Sequence, residues 1–543
     1  MPSVAEFLME RMENANVNHV FTVPGDYILK FCKLLSDSDK IELVNNTDEN
    51  QSGFAADAYA RVNGIGAVCV TYNVGALKIA NAVAGAYAER SPLIVISGSP
   101  GIKERSEGAL LHHMVRSFEC QKEIFDNITC ASTVLDNPNR AGYEIDRVFE
   151  ALMHHKQPIY IELPRDVASM PISYDVYKQG TPSSPPSDEE NLKEALEEAL
   201  EWIKTAKNPT ILAGVQVARY GLGEQLIKFA EKANIPIATT LLSKSVISET
   251  HPLSLGVYAG SASHEEVREA VEESDCLLML GVLLTDMTLS FMPSKFNKRN
   301  VINCSVERMR IKNHTFEDVG FNDFCTKIFK EEITSKPLTW CKSAELLEEY
   351  EPKKDTLISA PRFFEKINSI LTKDLAIIAD VGDPLFGAMD LTVHHSNQFL
   401  APAFYTSMGF AIPGCLGVQM AKPELRPLVL VGDGSFQMSC TELSTIVNRG
   451  LNPIVFVLNN KGYSTERLLM DGKFNNIRNW NYDQITVMLG GGTGVCVKTE
   501  EELEEAVDAA FKSKELFIIN ICVEKDDVSP GLRRLIKGLA SKV

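Results

Sequence analysis

Leu428-Val429-Leu430-Val431-Gly432-Asp433-Gly434-Ser435 and, further along, Pro453-Ile454-Val455-Phe456-Val457-Leu458-Asn459-Asn460-Lys461-Gly462 decide how the chain is read. Two apolar runs with an amphipathic segment between them describe a strand, a helix and a second strand, with oxygen ligands at both strand ends. In a parallel pair both ends emerge at the same sheet edge, so Asp433 and Asn460, 27 positions apart, can reach one cation, and Gly462 can add a backbone carbonyl. Such a set suits magnesium, a hard ion that fills its remaining positions with phosphate oxygens and water. Gly432 and Gly434 let the backbone approach closely. The helix that opens at Ser435 aims unpaired N-H groups at an anion, and together these features predict a seat for a metal-bound diphosphate. The motif also occurs in plain turns, and Ser439-Cys440-Thr441-Glu442 has the spacing of a capping box that needs no ligand.

The chain has 543 residues, too many for one core, and predicts about three domains of roughly 150 residues. A net charge of -18 and a pI near 5.2 argue against nucleic acid or an anionic membrane as partner, because both demand a basic face. An enzyme of small metabolites is the expectation. Twelve cysteines run from Cys32 to Cys522 without a Cys-x-x-Cys pair, which fits neither a zinc site nor a disulfide framework and predicts reduced thiols in a cytoplasmic protein. Met1 to Met12 carries acids and no long apolar core, so it does not read as a signal peptide. No apolar run approaches the length that spans a bilayer.

Two stretches interrupt the alternation of strands and helices: Lys178 to Glu189, rich in Pro, Ser and Gly, and Thr334 to Pro361, with charges and prolines. They predict domains over 1–180, 190–340 and 358–543. In the first, His19 to Val23, Ile41 to Val44, Gly66 to Thr71, Leu93 to Ser97 and Pro158 to Leu163 read as buried parallel strands; Ser52 to Arg61 and Leu77 to Ala88 read as helices. The second repeats the theme with strands Pro209 to Ala213, Ile235 to Thr239, Cys276 to Leu280 and Asn300 to Cys304. The third adds Ala376 to Ala379 and Leu516 to Cys522 to the opening pair. The fold class is therefore α/β, with three doubly wound parallel-sheet domains. The middle one carries no nucleotide-binding glycine motif, and its Asn191 to Ala206 reads as a solvated helix.

Several other groups could carry chemistry. Asp26, in Val23-Pro24-Gly25-Asp26-Tyr27, stands between a strand and a helix and is placed for an N-cap as well as for proton transfer. Glu49 precedes the helix Gly53-Phe54-Ala55-Ala56-Asp57-Ala58-Tyr59-Ala60-Arg61, and Glu466 follows Gly462-Tyr463-Ser464-Thr465. Both also satisfy the preference for acids near helix starts. His112 and His113 fall in a loop. His264-Glu265-Glu266 lacks the second histidine of a zinc hydrolase, and there is no Gly-x-Ser-x-Gly elbow.

Five of these segments occur in one order: Val-Pro-Gly-Asp-Tyr at 23 to 27, Glu49 with its helix, Leu-Leu-His-His at 110 to 113, Gly-Asp-Gly-Ser at 432 to 435, and Asn-Asn-x-Gly-Tyr-x-x-Glu ending at Glu466. In that order the chain resembles, over nearly its full length, the thiamine diphosphate-dependent 2-oxo-acid decarboxylases that act on pyruvate, indolepyruvate, phenylpyruvate and branched-chain 2-oxo acids. The resemblance implies thiamine diphosphate and Mg2+ as cofactors and a 2-oxo acid split to an aldehyde and carbon dioxide through an ylid and an enamine. Decarboxylation leaves an acyl carbanion that no side chain can stabilise, so a cofactor serves as nucleophile and electron sink. By the same resemblance Glu49 hydrogen-bonds the aminopyrimidine, a task suited to a buried carboxylate of raised pKa. Met408 props the bent cofactor, or simply fills core. Asp433, Asn460 and Gly462 hold the metal, and Gly432, Gly434, Ser435 and Tyr463 complete the cofactor seat. Asp26, His112, His113 and Glu466 handle protons and the substrate carboxylate, with Glu466 steering loss of carbon dioxide. The first domain of one subunit meets the third of another, so a homodimer is required and a homotetramer is usual.

The resemblance has departures. Asp380-Val381-Gly382-Asp383-Pro384-Leu385-Phe386 replaces the usual Glu-x-Gly-Thr-Ser-aromatic segment, which puts local hydrogen bonds to the cofactor in question. Thr47-Asp48-Glu49-Asn50 is also unusual around the key acid. Met287, Leu385, Phe386, Thr465 and Leu469 predict an apolar substrate pocket, or core packing. A carboligase of the acetolactate synthase or benzaldehyde lyase type is the alternative enzyme, and an inactive cofactor-binding scaffold is the alternative without activity. The paired histidines with Glu466 weigh against a carboligase, which must delay protonation of the carbanion.

Overall fold

Runs of Val, Ile and Leu too short for helices and apolar on both faces form strands here because helices cover them from either side. The computed structural model describes residues 1–172, 183–337, 340 and 347–539. Lys178, from which one linker was expected to start, and much of the other linker lie outside those residues. The chain falls into two compact units. One holds 1–184 with 412–425 and 439–451; the other holds 185–411, 426–438 and 452–543.

The first unit contains a six-stranded parallel sheet of β1 (His19–Thr22), β2 (Glu42–Asn45), β3 (Gly66–Val70), β4 (Leu93–Ser99), β5 (Ala131–Val134) and β6 (Ile159–Pro164), ordered β2-β1-β3-β4-β6-β5. Its helix Glu49–Asn63 is buried along almost its whole length and packs on Ala76–Ala88. At Gly53 an added Cβ would lie 2.7 Å from that of Ala82, so a glycine is needed for the approach.

The second unit contains two sheets. One comprises β7 (Pro209–Ala213), β8 (Ile237–Thr240), β9 (Ser254–Tyr258), β10 (Cys276–Leu280), β11 (Val301–Ser305), β12 (Arg308–Ile311) and β13 (His314–Phe316), ordered β13-β12-β11-β10-β7-β8-β9. It is parallel only from β11 to β9: β12 and β13 return as antiparallel hairpins, a departure from the all-parallel expectation. The other comprises β14 (Leu375–Ala379), β15 (Phe399–Leu400), β16 (Arg426–Gly432), β17 (Ile454–Asn459), β18 (Thr493–Val497) and β19 (Phe517–Cys522), ordered β15-β14-β16-β17-β19-β18 and parallel throughout. The helix expected over Asn191 to Ala206 spans Glu189–Thr205. Rather than being solvated all round, it buries Leu192, Ala195, Ala199 and Ile203.

The described cysteines are free. Among the described residues no helix is long and apolar enough to cross a membrane.

Candidate active site

β16 and β17 are parallel neighbours with Gly432 opposite Leu458, so Asp433 and Asn460 both follow strand ends at one edge of the sheet, as expected from the sequence. Asp433 begins the short helix Asp433–Ser439. Its carboxylate accepts from the Gly434 N-H at 2.8 Å and the Gly462 N-H at 3.0 Å. Burial pushes its pKa up to about 6 despite these donors, so the ionised form calls for a nearby cation. Asn460 is buried and its Oδ1 has no hydrogen-bond partner among the described residues, although orphaned buried acceptors are uncommon. A hard cation beside Asp433 would satisfy both groups, so these residues fit a magnesium ion.

Backbone geometry supports the same seat. Gly462 has φ +145°, and a Cβ there would come within 2.0 Å of the Asn475 carbonyl oxygen. A Cβ at Gly434 would strike the Tyr463 ring at 2.5 Å. Buried Arg467, which the sequence reading missed, braces the turn by donating to the carbonyls of Asn460 (2.9 Å) and Lys461 (2.7 Å) and to Asn476 Oδ1 (3.1 Å).

These residues open into a cavity of about 200 Å³. Gly432, Asp433, Gly434, Ser435, Asn460, Gly462, Tyr463 and Glu466 line one part, and Met408, Met287, Phe386, Thr465 and Leu469 line the rest. Thr465 Oγ1 is buried and unpartnered among the described residues. Leu385 is the exception: it is fully buried in the hydrophobic core and does not line the cavity, because the helix Asp383–Ala388 turns its neighbour Phe386 there instead. Phe291, Leu535 and Leu539 also line it and were not foreseen. The last two recur at helical spacing on Pro530–Leu539, a pattern visible in the sequence.

The unusual segment has a local explanation. Asp380, fully buried, accepts from the N-H groups of Val381 (2.9 Å), Gly409 (3.0 Å) and Ala411 (2.8 Å), and so fixes the turn that presents Met408. Burial raises its pKa. Asp383 accepts from Ser529 N (3.1 Å) and Ser529 Oγ (2.5 Å), which pins the start of the helix Pro530–Leu539. Burial pushes the Asp383 pKa up to about 6. Pro384 falls in a first helical turn, where its missing N-H is harmless.

In the first unit, Asp26 does not cap a helix: the next one, Leu29–Ser36, is preceded by Ile28 with no side-chain cap. Asp26 Oδ2 instead lies 2.9 Å from His112 Nε2 and 3.5 Å from Arg165. Tyr27 stacks on His112 with ring centroids 4.6 Å apart and places its hydroxyl 3.2 Å from Nδ1. Ligand-bearing atoms of Asp26, His112 and His113 all lie within 4.8 Å of one another. The His113 backbone is left-handed (φ +66°), and its carbonyl accepts from Asn73 Nδ2 at 2.7 Å.

Glu49 is the first residue of its helix, after the Asp48 cap. Its carboxylate is 12% exposed and lies 2.7 Å from Lys78 Nζ. Thr47 explains part of the unusual Thr47-Asp48-Glu49-Asn50 run: its N-H and hydroxyl donate to Glu442 at 3.2 and 2.9 Å. This also overturns the capping box expected at Ser439 to Glu442. Glu442 is drawn to Asn46 and Thr47, and the Ser439 side chain makes no cap bond.

Comparison with known proteins covers all three sheets. Residues 2–122 match the thiamine pyrophosphate enzyme N-terminal TPP binding domain, 196–330 the central domain and 380–521 the C-terminal TPP binding domain. An indole-3-pyruvate decarboxylase of Azospirillum brasilense is 32% identical over 541 residues, covering 98% of each chain. A probable pyruvate decarboxylase of Schizosaccharomyces pombe is 31% identical over 99% of this chain and 97% of its own. Pyruvate decarboxylase 3 of Arabidopsis thaliana is 30% identical over 98% of this chain and 92% of its own.

Proposed function

Because the chain belongs to the thiamine pyrophosphate enzymes, we propose that it decarboxylates a 2-oxo acid without oxidation, releasing an aldehyde and carbon dioxide, and that its substrate carries an apolar side chain. The observation that carries this reading is the pairing, in one cavity, of Asp433 and the unsatisfied Asn460 Oδ1 with apolar walls from Met287, Phe291, Phe386 and Leu469. A charged side chain would lose its hydration there without a partner. Bound thiamine diphosphate supplies a carbon nucleophile and an electron sink.

The protein's own groups divide the remaining work. Asp433, Asn460 Oδ1 and the Gly462 carbonyl hold magnesium, and Gly432, Gly434, Ser435 and Tyr463 form the diphosphate seat. Met408 supports the heterocycle from a turn that Asp380 fixes. Glu49, close to Lys78, binds the aminopyrimidine as its acid. Glu466, on the cavity wall, steers the carboxylate that is lost. Asp26, His112 and His113 pass the proton that releases the aldehyde; the Asp26 to His112 pair at 2.9 Å suits a relay. The apolar walls exclude water from the reacting centre.

We also propose domains over 1–180, 190–340 and 358–543, a cytoplasmic setting that free cysteines suit, and a homodimer, paired further into a tetramer, in which Glu49 of one subunit serves the Asp433 cavity of the other. A panel of pyruvate, branched aliphatic and aryl 2-oxo acids, run with thiamine diphosphate and magnesium, should give aldehyde and carbon dioxide with the highest kcat/KM for apolar side chains. A 2-hydroxyketone as the main product, or no turnover of any member, overturns the reading.

A further inference from the structure

A second cavity, of about 440 Å³, borders the first through a shared wall. The helix Pro530–Leu539 turns Leu535 and Leu539 to the first cavity and Arg534, Lys537 and Gly538 to the second. The preceding loop of the middle sheet does the same, giving Met287 and Phe291 to the first and Leu289 and Met292 to the second. These segments are tied together. A Cβ at Gly538 would lie 2.3 Å from the Ser290 carbonyl oxygen, so the helix rests directly on the loop. Ser290 Oγ accepts from Ala262 N at 3.1 Å, and Arg534 Nε donates to the Ala262 carbonyl at 2.9 Å.

The charge around the second cavity is one-sided. Arg268, Lys295, Arg534 and Lys537 border it, against a single acid, Glu272. Glu272 already accepts from the Tyr258 hydroxyl at 3.2 Å, and Arg534 is paired with Asp390 at 2.5 Å. Arg268 has only the exposed Glu265 at 3.4 Å. Lys295 and Lys537 have no ion partner among the described residues. In a chain of net charge -18, gathering cations with no acid to match them concentrates a positive potential in a concave site, and that potential favours an anion. Leu289, Met292, Pro293 and the Tyr258 ring give the same site an apolar floor.

We propose that this cavity is a second binding site, for an organic anion with a carboxylate or phosphate head beside an apolar body, and that its occupancy is transmitted to the first cavity through the shared wall. The binding stands on the cation cluster alone; the transmission rests on the decarboxylase reading. An anion drawn between Lys537 and Lys295 pulls helix and loop toward each other, and the same two elements carry Leu535, Leu539, Met287 and Phe291 of the other cavity. The coupling then follows from differential contacts in the bound and free states.

The test titrates the holoenzyme by calorimetry with inorganic phosphate and, separately, with 3-phenylpropionate, a carboxylate that cannot be decarboxylated as a 2-oxo acid. The parent is compared with the double variant Lys295→Gln/Lys537→Gln, whose side chains are exposed and outside the first cavity. At least one probe should bind the parent and weaken about tenfold or more in the variant, while turnover without probe is kept. Weakening of phosphate identifies a phosphoryl head, and weakening of phenylpropionate alone identifies a carboxylate with an apolar body. Neither probe binding at millimolar concentration, or both binding parent and variant alike, overturns the site; the second result means that phenylpropionate enters only the first cavity. The bound probe should also shift KM for a 2-oxo acid about twofold or more in the parent but not in the variant. An unchanged KM refutes the transmission. If no 2-oxo acid is turned over, the decarboxylase reading and the transmission fall together, and calorimetry still decides the binding.

Discussion

Asp433 is held ready for a cation. Its two backbone donors orient the carboxylate, yet burial keeps its pKa near 6, so only a positive charge close by would hold it fully ionised and useful. Asp433→Ala removes the charge and leaves Asn460 as a neutral ligand. Magnesium-dependent affinity for thiamine diphosphate should then fall by about 100-fold or more, the upper range even for supporting residues around metals, in a fluorescence titration. Unchanged affinity would remove Asp433 from the metal site. Glu466, exposed at the cavity wall, has no structural partner of comparable weight. Glu466→Gln should therefore retain cofactor binding while kcat falls about 10²- to 10⁴-fold. Near-normal turnover would return Glu466 to the role of an acid at a helix start.

At the scale of elements, the helix Pro530–Leu539 is set by two buried carboxylates, Asp383 at its start and Asp390 along its side. Asp390 accepts from Arg534 at 2.5 Å and lies 3.1 Å from His264. Burial alone would raise its pKa, but the His264 hydrogen bond and the Arg534 charge outweigh burial and hold it below the ordinary aspartate value. A carboxylate with a lowered pKa stabilises the folded state above its unfolded pKa of about 3.9, and that contribution is lost as pH falls through the folded value. Asp390→Asn should thus cost about 3 kcal/mol at neutral pH, with the gap in Tm from the parent closing only below about pH 4. A gap independent of pH would mean that shape rather than charge holds the helix.

This helix also marks a limit of sequence reading. Its Leu535 and Leu539 repeat plainly, but nothing local indicates which cavity they close, because that depends on Ser529 meeting Asp383 across 146 positions. The strands around Asp433 and Asn460 were legible because continuous Val, Ile and Leu runs end in turn residues. Ala131–Val134 is short and half-polar, and Ser254–Tyr258 contains Gly256 at φ +102°, so neither gave a strand pattern. The β11 to β13 hairpins carry charged residues at an antiparallel edge, outside the buried-strand signal. Asp26 and Glu442 were misread as local caps because their true partners, His112 and Thr47, are distant in sequence.

At the scale of the whole molecule, the chemistry is split. Glu49, Asp26, His112 and His113 belong to one compact unit, while Asp433, Asn460 and Glu466 belong to the other. A two-subunit site makes a quantitative demand. Coexpress Glu49→Gln chains with Asp433→Ala chains, each inactive alone. In the mixed dimer, one site combines the intact Glu49 of the second chain with the intact Asp433 of the first, while its twin combines both lesions. With statistical pairing about half the dimers are mixed and each regains one site of two, so about a quarter of parental activity should return. A site built within one chain would regain none, because every chain then carries its own lesion. The two outcomes are separated by a plain assay of turnover against the proportion of the two chains, with recovery greatest at equal amounts if subunits share the site.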